Sequence, residues 1–176
     1  PFFMGAGTDE SMQFAAEHGF GFMQSTLPPL EVIGEHIQHY RTHMKSAPAP
    51  LNQNPAFGRV DVVRMVYVAP TDALAREQSE AGITHHMKAF GQAGSYLGAV
   101  TGRATEDQLS YDYLAENTIL HGSPETVIRK IEAFRDVGAT SIMVHYPPYY
   151  GLEQTLDMLR LFAKEVLPHL REMKTA

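Results

Sequence analysis

The chain has 176 residues, of which 44% are hydrophobic and 19% charged, and its formal net charge is −6. This composition is typical of a globular protein, and the negative charge argues against a nucleic-acid or anionic-membrane surface. No run approaches the ~18 apolar residues of a membrane span, and the absence of cysteine excludes disulfides and thiol chemistry. We therefore expect a single domain over residues 1–176, no nucleic-acid or membrane partner, and a cytoplasmic location.

The first nineteen residues, PFFMGAGTDESMQFAAEHG, predict a strand, a glycine turn and a helix. The apolar run Phe2–Met4 ends at the turn Gly5–Gly7, and Thr8 and Asp9 begin the helix. A helix N-terminus presents free N–H groups and positive potential, so it suits a phosphate, and Thr8 and Ser11 add hydroxyl groups on the first turn. The alternative is purely structural, with Thr8 as the helix cap and the glycines allowing tight packing.

The rest of the chain repeats this order, so that strand and helix alternate four times. The predicted strands are Phe2–Gly5, Phe20–Gln24, Val60–Val68 and Ser141–Tyr146, and an insertion, Ala69 to His121, follows the third of them. The sequence predicts a helix from Leu30 to Met44, whose apolar stripe consists of Ile33, Ile37, Tyr40 and Met44. A further helix begins at Ser123, with Pro124 and Glu125 in its first turn. The last helix is predicted from about Leu152 to Glu172, and Pro168 is expected to kink or fray its final turns. Such alternation indicates a parallel sheet with right-handed crossovers. It leaves open whether the sheet is doubly wound or half of a (β/α)8 barrel.

Three stretches of the chain share sequence features with one known family. They are GAGTDESMQFAAEHG at Gly5–Gly19, GSPETVIRKIEAFRDVG at Gly122–Gly138, and LFAKEVLPHL at Leu161–Leu170. In this order they resemble the C-terminal half of the luciferase-like flavin-dependent monooxygenases. The resemblance implies a (β/α)8 TIM barrel, of which this chain is the C-terminal half: about four βα units, with an insertion after the third strand. It also implies that the insertion is a lid over the flavin. The segment from about Gly91 to Leu109 is rich in glycine and polar residues, so we expect it to be mobile without ligand.

The resemblance implies a function as well as a fold. It implies an FMN-dependent monooxygenase that uses reduced FMN, supplied by a separate flavin reductase, and oxygen to oxidise a small organic substrate. Two alternatives are a deazaflavin-dependent hydride-transfer oxidoreductase of the same superfamily and a non-catalytic flavin-binding half-barrel module. The barrel would be completed by a missing N-terminal half or by a second copy of the chain. The residues that polarise substrate in this family lie mostly in the first half, so we name no catalytic residue.

Carried over by position, the resemblance places the cofactor-binding residues around the glycine turn. Thr8 falls on one phosphate-binding hydroxyl position and Ser11 on a second. Gly7 replaces a residue that commonly has a side chain there, so its N–H group could serve instead. The turn would pass beside the isoalloxazine and ribityl chain, with Met23 and Gln24 near the ring or the substrate. The predicted cofactor-binding residues are Gly5, Ala6, Gly7, Thr8, Asp9, Ser11 and Met23.

Several histidines outside this stretch are candidate metal ligands or catalytic groups. His36, His39 and His43 recur at helical spacing, which would suit a metal ion, but no carboxylate accompanies them. We interpret them as the solvated flank of a helix and predict no metal site. For His145, at the end of the last strand, an active-site role and a place in the core are both open.

Overall fold

The computed structural model of the protein describes residues 1–92, 106–146 and 149–173. These residues form two compact units. One consists of Pro1–Val63 and Ala133–Met143, and the other of the described residues within 64–132 and 144–173. Most of the segment predicted to be mobile, Gly91–Leu109, lies outside the described residues, and the single-domain boundary stays a prediction.

The first unit is built from parallel strands joined by helices. Its elements are β1 (Phe3–Gly5), α1 (Asp9–Glu17), β2 (Gly21–Gln24), α2 (Leu30–His43), the beginning of β3 (Val60–Val68) and most of β5 (Ser141–His145), with short 3-10 turns at Met44–Ser46 and Leu51–Gln53. Strand β2 pairs in parallel with β1, where Met23 lies opposite Gly5, and with β3, where Phe22 lies opposite Val60. Strand β5 also pairs with β3.

Helix α2 is fixed to β2 by its predicted apolar stripe. Ile33, Ile37 and Tyr40 are fully buried, and the Tyr40 ring stacks on Phe22 with the centroids 5.1 Å apart. The Tyr40 hydroxyl donates a 2.6 Å hydrogen bond to the carbonyl oxygen of Phe20. These contacts determine which face of α2 is directed at the sheet, and therefore which side chains lie next to the end of β2.

The second unit contains the end of β3, the helices of the insertion and the last helices of the chain. In order these are α3 (Asp72–Gln92), a 3-10 turn (Glu106–Leu109), α4 (Tyr111–Asn117), β4 (Leu120–Gly122), α5 (Pro124–Asp136), α6 (Leu152–Leu161), a π-helical turn (Phe162–Val166) and α7 (Leu167–Glu172). Strand β4 pairs in parallel with β3, where Leu120 lies opposite Val66. Among the described residues, no helix combines the length and apolarity that crossing a membrane requires.

The structure corrects one prediction about the elements and confirms another. Strand β4 was not predicted, so the described part of the chain contains five strands, where the sequence predicts four. It spans three residues, Leu120–Gly122, and its pairing with the end of β3 could not be predicted from so short a pattern. The predicted disturbance of the last helix by Pro168 is confirmed: the helix is interrupted at Phe162–Val166, because Pro168 has no N–H group to donate to a carbonyl one turn earlier.

Candidate cofactor-binding site

The glycine turn between β1 and α1 is held at its middle residue. The Ala6 N–H group donates to the carbonyl oxygen of Met23 at 3.3 Å, and the Ala6 carbonyl oxygen accepts from Gln24 Nε2 at 2.9 Å. Both polar groups of Ala6 are therefore bonded to the end of β2. The turn has one defined conformation, and Met23 contributes to it through its backbone.

The glycines on either side of Ala6 are not required by the fold. Neither Gly5 nor Gly7 is among the glycines with positive φ, and a Cβ atom built on either meets no atom of the described chain within 4 Å. By contrast, a Cβ on Gly21 in β2 would lie 2.6 Å from the Phe3 ring. The absence of side chains at Gly5 and Gly7 thus leaves open surface beside the turn, where a ligand can approach the backbone closely.

Thr8 and Ser11 form a capping box at the N-terminus of α1. Thr8 Oγ1 accepts from the Ser11 N–H group at 3.3 Å. In return, Ser11 Oγ accepts from the N–H groups of Thr8 at 3.0 Å and Gly7 at 3.2 Å. The predicted structural role of Thr8 as the helix cap is confirmed, and the hydroxyls predicted to bind phosphate lie together at this helix end.

A carboxylate already interacts with the same helix end. Hydrogen bonds from the backbone of Glu10 and from the Thr8 hydroxyl lower the pKa of the Glu10 carboxyl group. The negative charge is favourable there because the first-turn N–H groups carry partial positive charge. Glu10 and a bound phosphate would therefore be favoured by the same positive potential at this helix end.

The histidines of α2 are directed at β2 and α1, so their interpretation as a solvated helix flank is wrong. His36 Nδ1 lies 3.0 Å from Gln24 Oε1, and the His39 Nε2–H group donates to the Asp9 carbonyl oxygen at 3.2 Å. All three α2 histidines are half-buried. In the part of the chain that the structure describes, no group of three or more His, Asp or Glu residues could hold a metal ion.

The N-terminus of α5 is also capped, but by a carboxylate from another element. Asp72 Oδ1 accepts from the Ser123 N–H group at 2.6 Å, and Asp72 Oδ2 accepts from the Thr126 hydroxyl at 3.0 Å. A Cβ atom on Gly122, whose φ is +149°, would lie 2.7 Å from Asp72 Oδ1. This helix end is closed by tightly packed protein atoms, whereas the turn before α1 is open.

His145, which the sequence left undecided, lies half-buried at the end of β5 in the second unit. Its ring centroid is 6.1 Å from that of His86, and Tyr149 lies 5.6 Å from His86. Burial lowers the pKa of His86, and the neighbouring His145 and His85 lower it further. The three rings form a compact aromatic cluster, and the pKa of His86 favours a neutral ring at pH 7.

Two cavities in the described residues lie away from the glycine turn. One, of about 430 Å³, is found in the first unit where β1 and β2 begin, between Phe2, Phe20 and Leu51. The other, of about 590 Å³, is found in the second unit beside Tyr67 and Gln154. None of the predicted cofactor-binding residues lines either of these two cavities.

The parallel strands and the helices between them define the class of the fold, an α/β protein with a parallel sheet. The chain belongs to the luciferase-like monooxygenase family, whose family model matches residues 1–141. The resemblance inferred from the three sequence stretches is thereby confirmed.

Named relatives agree with this membership. The 2,5-diketocamphane 1,2-monooxygenase 2 of Pseudomonas putida is 28% identical over 176 residues, covering 92% of this chain and 46% of the relative. The chain thus spans about half the length of the curated relatives it matches.

Solved structures show the same fold. The oxygenating constituent of the Pseudomonas putida 3,6-diketocamphane monooxygenase, a type II Baeyer–Villiger monooxygenase in complex with FMN, matches with a TM-score of 0.64 at 23% identity, covering 93% of this chain and 46% of that one. The coenzyme F420-dependent tetrahydromethanopterin reductase of Methanopyrus kandleri matches with a TM-score of 0.64 at 20% identity, covering 96% of this chain and 50% of that one. The predicted α/β fold of the TIM-barrel type is therefore confirmed.

Proposed function

We propose that the protein is a flavin-dependent monooxygenase that uses reduced FMN and oxygen to oxidise a small organic substrate. Family membership and the FMN in the structure of the 3,6-diketocamphane monooxygenase constituent support this proposal. The observation that carries it in this chain is the Gly5–Gly7 turn, which is rigidly held at Ala6 yet open at both glycines, immediately before a helix N-terminus.

The residues at this turn fit a flavin that ends in a phosphate. Thr8 and Ser11 would hold the phosphate through their hydroxyls, with first-turn N–H groups from Gly7 to Glu10, including Asp9, as further donors. The two glycines would let the ribityl chain and the ring approach the backbone, and Met23 would lie beside the ring. These residues bind and orient the cofactor, and none of them is proposed to transfer a proton.

The charge at this helix end is consistent with a site that exchanges its ligand. The phosphate would replace the Glu10 carboxylate at the positive end of α1, so two negatively charged groups compete for the same donors. His36 and His39 of α2 lie close to Asp9.

A bound reduced flavin would supply the electrons that activate oxygen. The chain itself would supply position, because the turn is fixed relative to β2 before any ligand arrives. A separate flavin reductase would provide reduced FMN. The remaining strands of the barrel would come from polypeptide outside residues 1–176 or from a second copy of the chain, since the matched relatives are about twice as long.

A second candidate is a deazaflavin-dependent hydride-transfer oxidoreductase. The structural likeness to an F420-dependent reductase favours it, because the TM-score equals that of the FMN-containing match. The two candidates share the fold and differ in their use of oxygen. The third possibility, a flavin-binding module without catalysis, would bind flavin but would oxidise no substrate.

Oxygen uptake by the complete polypeptide tests the three candidates together. Chemically reduced FMN and reduced F420 would be mixed separately with the protein, air-saturated buffer and a panel of ketones and aldehydes, with product detection by mass spectrometry. We expect incorporation of one atom from labelled oxygen with reduced FMN. Hydride transfer from reduced F420 without oxygen would support the second candidate, and flavin binding without any product would support the third.

A further inference from the structure

Gln24 is a buried amide at the end of β2 whose orientation follows from its partners. Its side chain is 1% exposed, and Nε2 lies 2.9 Å from the Ala6 carbonyl oxygen, which can only accept a hydrogen bond. The NH2 group therefore faces Ala6. The remaining atom, Oε1, faces His36 Nδ1 at 3.0 Å.

This orientation determines the tautomer of His36. Oε1 of an amide is an acceptor, so His36 Nδ1 must bear the proton and donate it. The Nδ1–H group is present in the protonated imidazole and in this neutral tautomer alike. Burial lowers the pKa of His36, while Asp9 and Glu35 act against this shift, so the neutral ring prevails at pH 8.

The hydrogen bonds continue from Ala6 to the helix N-terminus. The peptide bond between Ala6 and Gly7 is trans, so its carbonyl and N–H groups point in opposite directions. A carbonyl held by Gln24 therefore fixes the direction of the Gly7 N–H group. That group points at Ser11 Oγ, 3.2 Å away, within the capping box of α1.

We propose that His36 and Gln24 are positioning residues that orient the Gly7 N–H group toward the flavin phosphate. The inference rests on the proposed function and goes beyond it, since neither side chain is proposed to contact the phosphate. His36 acts through Gln24, and Gln24 acts through the Ala6 carbonyl. This chain of hydrogen bonds begins on α2 and ends at α1. It therefore couples the packing of α2 on β2 to the geometry of the Gly5–Gly7 turn.

Two substitutions at His36 separate this role from simple packing. Asn places its Nδ2–H donor where His has Nδ1, whereas Gln places its donor about where His has Nε2. We measure the affinity of the complete polypeptide for FMN and for riboflavin, which has no phosphate. His36→Asn should keep both affinities within about twofold. His36→Gln and Gln24→Leu should weaken FMN binding by about tenfold and change riboflavin binding by less than about twofold.

The helix propensities of the two replacements make the comparison sharper. Gln is a better helix former than Asn, so a packing role for His36 predicts that His36→Gln is the milder change. Thermal unfolding followed by circular dichroism gives this ranking independently of the ligand. We expect His36→Gln to be at least as stable as His36→Asn while it binds FMN more weakly.

Nitrogen-15 spectra of the imidazole at pH 8 give a readout that needs no flavin. We expect the Nδ1–H tautomer at His36 in the wild-type protein and the commoner Nε2–H tautomer in Gln24→Leu. A wild-type Nε2–H tautomer would overturn the inference, as would equal losses of FMN and riboflavin binding. No flavin binding by the wild type would overturn the proposed function as well, whereas unchanged FMN binding by His36→Gln would overturn the inference alone.

Discussion

Thr8 and Ser11 exchange hydrogen bonds at the first turn of α1, and the same hydroxyls are the groups proposed to hold the phosphate. At the level of single residues, the cap and the binding site therefore share atoms. A substitution at Thr8 affects both, but by different amounts. Loss of a helix cap costs about 1 kcal/mol of the free energy of unfolding, and loss of a hydrogen bond to a charged group costs about 1.5–3 kcal/mol of binding.

Thr8→Ala should weaken FMN binding to the complete polypeptide by roughly 10- to 100-fold. Riboflavin binding should change little, because riboflavin has no phosphate for the hydroxyl to contact. Isothermal titration with both ligands gives the comparison, and Thr8→Ser, which keeps the hydroxyl, is the matched control. FMN affinity that is equal in Thr8→Ala and the wild type would remove this helix end from the proposed site.

Gly7→Ala should make the protein at least as stable as the wild type and reduce its affinity for FMN by about tenfold or more. The structure offers free space for the methyl group, and glycine is not needed for the backbone conformation. Replacing such a glycine by alanine stabilises proteins by about 0.4–1 kcal/mol through the unfolded state. A methyl group pushed into a packed contact with ligand costs about 1–3 kcal/mol.

The control for Gly7→Ala is Gly151→Ala. Gly151 precedes α6 in the second unit and has the same free space around a built Cβ atom, but it is not part of the candidate site. Differential scanning calorimetry and FMN titration should show no effect on binding for Gly151→Ala. Unchanged FMN binding in Gly7→Ala would mean that no ligand approaches this face of the turn.

Some residues of the site could be predicted from the sequence and some could not. The role of Thr8 as the N-cap of α1 could be predicted because N-caps have a local sequence signature, and the structure confirms this cap. The Glu10 carboxylate at the helix end could not be predicted, because it depends on a side-chain rotamer. The contact of His36 with Gln24 depends on how α2 packs on β2, although the helical spacing of the histidines did indicate that they share a face.

At the level of elements, the length of the apolar pattern determined what could be predicted. Strand β3 was predicted with both ends correct, because nine consecutive residues are nearly all apolar or β-branched. Helix α2 was predicted to within one residue from its apolar stripe. Strand β4, with three residues that include His121 and Gly122, has no such pattern and exists because it pairs with the end of β3.

Asp72 connects two elements of the second unit, since it lies in the first turn of α3 and caps α5. The hydrogen bond from the Ser123 backbone, with that from Thr126, lowers the pKa of Asp72 below its ordinary value of 3.8. A carboxyl group with a lowered pKa in the folded state stabilises the protein above its unfolded pKa. This contribution is lost as the pH falls through the folded-state value.

Asp72→Ala should therefore lower the free energy of unfolding at pH 7, by about 1 kcal/mol once solvent exposure of the side chain is taken into account. The difference from the wild type should shrink as the pH is lowered toward 3 and below. Urea unfolding across this pH range measures it. Asp136→Asn, at an exposed carboxylate paired with Arg135, is the control and should change stability by less than about 0.5 kcal/mol. A stability difference between Asp72→Ala and the wild type that grows as the pH falls would contradict the role of Asp72 as the cap of α5.

At the level of the whole molecule, the chain is about half the length of the relatives it matches. In the described residues β1 pairs with β2 alone, so its other edge has no strand partner there. Phe2, immediately before β1, is 72% exposed. An unpaired strand edge beside apolar side chains favours association with further strands.

Residues 1–176 expressed alone should consequently self-associate or aggregate, whereas the complete polypeptide should not. Light scattering coupled to size-exclusion chromatography compares the two preparations. A well-folded monomer of 19.6 kDa, the mass of the chain, would contradict the half-barrel account and would favour an open sheet. The family fold was predicted from three short motifs, whereas completion of the barrel depends on polypeptide that these motifs do not describe.

The position of the flavin phosphate in a crystal structure of the complete polypeptide with FMN tests the account most directly. We expect a phosphate oxygen within about 3 Å of the Thr8 hydroxyl, with the Glu10 carboxylate displaced from the first turn of α1 and the Gly7 N–H group directed at the phosphate. A phosphate bound elsewhere, with Glu10 still bonded to Thr8, would contradict the account.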